Sequence, residues 1–363
     1  MTQSFALSRK KKAAVALASV IAAVGLAPAA ALAGPVLAQS SGTAHASGAS
    51  TAVTAPSSFG RSAEPLPGDH EVAAQPAGTG YAPDQDVLAY WTAQRMAEAR
   101  PYDGGSSDAT APEEDAAATG SSSSTDPGGT TEPVPPQSQA GAAATGKLFF
   151  GGYGADNAYC SASAVSTPTK RVVITAGHCV FDYEEKDWMK NVVFVPDYDM
   201  SAPNPAPSGI WTARSLRTFN AWIDGPDNTH DVGFVTLNDG GNDNGTVVDA
   251  VGGYGIAWDG SYEFQATIFG YPSNKTDPNG RYTMRTCKDS VFRTEPDDSR
   301  VSVDDCVFGP GASGGPWLYR YSEGSGLGYV RAVTSTWRPA DGRNTASYFT
   351  GEVKSMMDET AWE

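Results

Sequence analysis

The chain is poor in the groups that most simple functional readings require. Its 363 residues include four cysteines, four histidines and 25 basic side chains against 41 acidic ones, for a net charge of −16. That balance argues against nucleic acid or an anionic membrane surface as a partner. No CxxC pair occurs. Only His178 and His230 lie in the same part of the chain as the cysteines, so a zinc site lacks a ligand set. No loop spells out a calcium site, and no metal or organic cofactor is indicated. Long apolar runs are missing too. The best, Ala13 to Leu26, is short and alanine-rich, and Pro28 and Pro35 follow it. Nothing predicts stable membrane association, and a monomer is expected.

What is present falls into three parts. Residues 1–33 read as a secretory signal. Arg9-Lys10-Lys11-Lys12 is a basic start, Ala13 to Leu26 the apolar run, and Ala31-Leu32-Ala33 a small-residue cleavage site. The expected location is therefore extracellular, where cysteines pair. Residues 34–145 are dominated by Ala, Gly, Ser, Thr and Pro and read as a largely disordered pro-region and linker. One island, Asp84 to Arg100, has a helix start at Asp84 and a stop at Pro101, with Val87, Leu88 and Trp91 on one face. It reads as a propeptide helix that docks on the rest of the chain until removed. Residues 146–363 form the globular part. Short β-branched and aromatic runs alternate with glycine-rich turns: 148–150, 161–165, 172–175, 192–195, 232–237, 264–269, 281–286, 317–321 and 329–335. That rhythm predicts an all-β barrel or sandwich. Only 348–362 looks helical.

Three stretches of this part carry chemistry. Gly309-Pro310-Gly311-Ala312-Ser313-Gly314-Gly315-Pro316 holds a serine in a loop whose glycines let backbone N–H groups converge. Thr175-Ala176-Gly177-His178-Cys179 ends a strand in a histidine. His230-Asp231 heads an apolar strand. A serine hydroxyl is a weak nucleophile and needs a base, and the base needs an orienting carboxylate. Ser313, His178 and Asp231 are the candidates. Asp182, Asp224 and Asp227 lie in polar, solvated surroundings, whereas Asp231 leads into an apolar strand. His230 reads as a solvated loop residue. The N–H groups of Gly311 and Ser313 would receive an oxyanion.

These motifs, in the order His, Asp, Ser, resemble the chymotrypsin-like (trypsin-fold) serine peptidases. Cys306 through Trp317, with Gly270-Tyr271-Pro272, is similar to the secreted trypsin-like peptidases of actinomycetes. Tyr90-Trp91-Thr92 with Arg95-Met96 resembles a motif in their pro-segments. The resemblance covers about residues 147–350. It implies two antiparallel six-stranded β-barrels, about 147–245 and about 250–350, followed by a helix. It implies an endopeptidase acting on protein or peptide substrates. Four cysteines admit three pairings; the resemblance implies Cys160–Cys179 and Cys287–Cys306. It also places Val307 and Phe308 in the primary specificity pocket, opposite Val333-Thr334-Ser335, where a substrate strand would pair. No aspartate or histidine stands at the pocket positions, so an apolar or small side chain before the cut is expected. Ala312 replaces the acid that receives a freed N-terminus in the animal enzymes, so that activation device is absent. An inactive binding module of the same fold and an esterase using the same triad are the competing readings.

Overall fold

The computed structural model describes residues 72–74, 84–104, 144–151, 157–296, 298–340 and 342–363. The expected leader, and the low-complexity stretches on either side of 84–104, lie outside the described residues.

The globular part is two closed barrels of six antiparallel strands each. In the first, β1 (Thr145–Phe150), β2 (Ala158–Ala164), β3 (Val172–Thr175), β4 (Val193–Pro196), β5 (Trp211–Phe219) and β6 (Gly233–Leu237) pair in the order β5-β6-β3-β2-β1-β4, and β4 returns to β5. In the second, β7 (Phe264–Gly270), β8 (Arg285–Arg293), β9 (Arg300–Val303), β10 (Pro316–Ser322), β11 (Leu327–Arg338) and β12 (Arg343–Tyr348) pair as β11-β10-β7-β8-β9-β12, and β12 returns to β11. Closure pairs the strands with one another, which is how an all-β chain satisfies its ladders, and the end of β5 that stays open takes a further antiparallel strand, Val72–Ala74, with Val72 opposite Phe219. Val172, Val173 and Ile174 of β3 are all buried, as are Phe234, Val235 and Leu237 of β6. These are the β-branched and aromatic runs that suit a packed, pleated surface.

Three of the twelve strands, β5, β9 and β12, had no signal in the reading above, and β8 begins four residues later than the run at 281–286. The last helix, α3 (Gly351–Thr360), starts only after β12 has ended at Tyr348, and it buries Val353, Met356 and Met357. Both disulfides form as the resemblance implied, Cys160–Cys179 and Cys287–Cys306. Among the described residues no helix is long and apolar enough to cross a membrane.

The island before the barrels is two helices, not one. α1 (Asp84–Tyr90) and α2 (Ala93–Glu98) break at Trp91-Thr92, where the Thr92 hydroxyl accepts the Arg95 N–H and caps α2. Val87, Trp91 and Met96 are buried against Phe149, Tyr159, Tyr198 and Tyr271, whereas Leu88 is 43% exposed and off that face. The break rotates Met96 inward in place of Leu88.

Beneath this contact lies Lys147 of β1, only 2% exposed. Its ammonium is 3.6 Å from the Tyr159 ring centroid and 4.9 and 5.3 Å from those of Tyr198 and Tyr271. Burial pulls the amine down to about 7, and the negative ring faces oppose that pull. The folded value lies below the unfolded one of about 10.4. At pH 7 and below, folding therefore carries the cost of burying the cation. Between about pH 7 and 10 the unfolded chain binds the extra proton, so stability rises with pH. Lys147→Met is expected to raise the unfolding free energy at pH 7 by about 2 kcal/mol, the desolvation cost less the cation–π attraction. It should also flatten the rise between pH 7 and 9.5. Urea midpoints of both proteins across that range check it; a steeper slope in the variant would refute it.

Candidate active site

The histidine of the site is held by a short turn. Gly177–Cys179 is one turn of 3₁₀-helix at the end of β3, and the disulfide from Cys179 to Cys160 pins it to β2. His178 is 3% exposed and Asp231, at the head of β6, is completely buried. A buried carboxylate needs donors on both oxygens. Oδ1 of Asp231 accepts the His178 main-chain N–H at 2.8 Å. Oδ2 faces His178 Nδ1 at 2.8 Å and accepts the Ser335 hydroxyl at 2.6 Å. The imidazole is thereby fixed with its Nδ1–H on the carboxylate, and its Nε2 has no hydrogen-bond partner.

Ser313 lies in the loop before β10 and is 5% exposed. Its carbonyl accepts the Ser161 N–H of β2 at 2.8 Å, and the next N–H, of Gly314, donates to Thr334 O at 2.7 Å. The serine loop is therefore fastened to both barrels, and its anchor on the first, Ser161, directly follows Cys160, the disulfide partner of the histidine turn. The Ser313–His178 hydrogen bond is not formed here; catalytic hydrogen bonds commonly tighten only once substrate is bound. Gly311 has φ +90°, and a Cβ built on it would stand 2.7 Å from both Tyr159 Cε2 and Tyr271 O. Only glycine turns its N–H toward the cleft at that point. Ala312 is buried in the second barrel's core beside Trp317, with Gly270 packed against its methyl.

The candidates for the substrate pocket are held as follows. Phe308 is in the second barrel's core, and the Asn344 amide brackets its main chain: Oδ1 accepts Phe308 N–H and Nδ2 donates to Phe308 O, both at 2.7 Å. Val307 beside it is half-buried. Val333 is a core residue, and the main-chain groups of Thr334 are used by Gly314 and Gly315. Thr334 Oγ1 accepts the Trp317 indole N–H at 2.9 Å. Ser335, read from sequence as pocket wall, is also the third donor to Asp231. No local pattern announces that role, because the two residues are 104 apart.

His230 is not a solvated loop residue. Its Nδ1 lies 2.7 Å from Asp227 Oδ2, and its Nε2 lies 2.9 Å from Glu352 Oε2 on α3. The bond to Glu352 foremost, then Asp227, lifts its pKa above the usual histidine value against the opposing effect of burial. Held between these two carboxylates, the ring braces the residue next to Asp231. Cys160, His178 and Cys179 are the one group with metal-ligand spacing among the described residues, and both sulfurs are spent in the disulfide.

No protein-family model matches the sequence, and no curated protein matches it. Solved structures do. The protease Anisep from Arthrobacter nicotinovorans is 26% identical, with a TM-score of 0.52 over 63% of this chain and 100% of its own. A thermostable serine protease, AL20, from an extremophilic microorganism is 26% identical, with a TM-score of 0.53 over 61% of this chain and 97% of its own. A Glu endopeptidase solved with MPD is 16% identical, with a TM-score of 0.51 over 62% and 93%, a likeness of fold alone.

Proposed function

We propose that this chain, which has the chymotrypsin-like serine-protease fold, is a secreted serine endopeptidase made with a leader and a pro-segment. The observation that carries the reading is the buried Asp231 carboxylate, with both oxygens engaged, holding His178 by Nδ1 and leaving Nε2 free. Such an imidazole is set to take one proton and give it back.

The Ser313 hydroxyl passes its proton to His178 Nε2 as its oxygen bonds to the scissile carbonyl carbon. Negative charge collects on the carbonyl oxygen, where the Gly311 and Ser313 N–H groups receive it. Asp231 stabilises the imidazolium without taking its proton. Collapse breaks the C–N bond, and Nε2–H protonates the departing amine. A water then repeats the sequence on the acyl-enzyme and frees Ser313. Val307, Phe308 and 333–335, the positions the sequence resemblance assigns to the pocket walls, carry no charged side chain, so apolar or small side chains before the cut fit best. The secreted location rests on the leader and the paired cysteines.

A fluorophosphonate probe tests the reading. A site-specific cleavage sequence placed between 105 and 143 allows the full chain to be opened there. Labelling followed by peptide mass mapping is expected to give a single adduct on the peptide bearing Ser313, with casein hydrolysed. An adduct with ester cleavage but intact casein would make the protein an esterase. No adduct after opening and dilution would make it a binding module and end the peptidase reading.

A further inference from the structure

The cleft that the proposed mechanism needs is occupied by the chain itself. After α2, Arg100–Pro101 forms a short strand parallel to β2, with Arg100 opposite Ala158 and Pro101 opposite Tyr159. The Arg100 N–H donates to Asn157 O at 2.8 Å and the Tyr102 N–H to Tyr159 O at 3.0 Å. The Tyr102 carbonyl then accepts the Gly311 N–H at 3.1 Å. That is the donor assigned above to the substrate oxyanion. The Tyr102 ring packs edge-on against Phe150 at 5.2 Å and lies 6.0 Å from the His178 ring, with its hydroxyl on Asp182 Oδ2. Two residues on, Gly104 lies so close to the imidazole that a Cβ there would be 3.3 Å from His178 Cγ.

We infer that residues 84–104 are a built-in reversible inhibitor whose Tyr102 carbonyl occupies the oxyanion donor, an inference that rests on the peptidase reading. Direction separates inhibitor from substrate. The residues preceding Tyr102 lie along β2 of the first barrel. The residues preceding a scissile carbonyl are expected along β11 of the second. The segment therefore enters the cleft the wrong way round, and the Tyr102–Asp103 bond is shielded rather than offered.

The helices supply the grip. Trp91 Nε1–H donates to Asn191 O at 2.5 Å, and its ring lies 5.4 Å from Phe149. Asp84 Oδ1 accepts from Thr212 Oγ1 at 3.0 Å and from Asn238 Nδ2 at 2.8 Å. While the chain is continuous, the segment faces its groove at an effective concentration of order millimolar. A cut anywhere in 105–143 makes the contact bimolecular without touching either partner. Release then follows dilution.

The test uses the full chain with the cleavable sequence in 105–143, beside its Trp91→Ala/Met96→Ala variant. Amide hydrogen exchange of the peptides covering 157–161 and 308–316 is read together with fluorophosphonate labelling. In the uncut wild type, exchange at Gly311 and labelling are expected to be slower than in the variant by about ten-fold or more. Mass should show Tyr102–Asp103 intact. After cutting, wild-type labelling should climb as the sample is diluted, a change that needs no substitution and so no assumption about the variant's folding. Equal exchange in both proteins would overturn the inference whatever the labelling. Equally fast labelling in both, undiluted, would overturn it and leave the peptidase reading standing. Exchange that responds while no form ever labels would remove the peptidase reading and the inhibitory role with it, leaving only a docked segment.

Discussion

Ser313→Ala is expected to lower kcat of the opened, diluted protein on a peptide substrate by about 10⁵-fold, with KM little changed. The methyl cannot form the acyl-enzyme, yet it disturbs nothing that binds substrate. The loop is held by the main chain, through Ser161 N–H to Ser313 O and Gly314 N–H to Thr334 O, and these bonds survive the change. What remains should be the small acceleration that Gly311 and the groove supply to attack by water. Asp231→Asn should come close to the same loss, about 10⁴-fold, for a different reason. Three donors converge on that carboxylate. An amide supplies one oxygen for them, and its NH₂ must face a donor or force His178 into the tautomer with the proton on Nε2. The base is then already protonated where it should accept. A Ser313→Ala protein that kept a hundredth of the activity would show that the nucleophile lies elsewhere.

Gly314→Ala should fail as a structure, and only through that as a catalyst. Gly314 has φ +78°, and a Cβ there would stand 2.0 Å from Thr175 Oγ1, 2.4 Å from Ser161 O and 2.8 Å from Ala176 N. Rotating Thr175 would relieve the first contact at the expense of its bond to Ser161 O. The other two are backbone atoms of β2 and of the residue after β3, so the serine loop itself must move. The expected cost is about 3 kcal/mol or more in stability, from the strained dihedral and the overpacking together. A shift of Ser313 by about 1 Å should lower turnover a further 10²-fold or so. Urea midpoints and kcat, measured on the same preparation, separate the two effects. An unchanged midpoint would mean that the loop has slack the geometry does not reveal.

Much of this was legible because the serine and histidine loops are written in glycine, alanine and cysteine, residues whose use at those points is dictated by close approach. The strands that carried β-branched runs were legible for the same kind of reason. β5, β9 and β12 were not. β5 places Arg214, Ser215 and Arg217 toward polar partners, so its alternation reads as a loop. β9 and β12 bury hydroxyls among their apolar residues: Ser302 is bonded to Thr294 at 2.8 Å and to Thr345 at 3.2 Å, a chain of partners that hydropathy does not register. The clamp on His230 and the donor role of Ser335 depend on residues more than a hundred positions away, and only the closed barrels bring them together.

The helix after the second barrel returns to the first. Arg214 donates to Glu363 O, Ser215 Oγ to Glu363 Oε2 at 2.7 Å, and Arg217 pairs with Glu363 and Glu359. Thr169 Oγ1 reaches Ala361 O at 3.0 Å, and Glu352 grips His230. In the order of synthesis this has a cost in time. The ribosome makes the six strands of the first barrel well before it makes the residues that fasten them and steady the neighbour of Asp231. Contacts between such distant positions close late in folding.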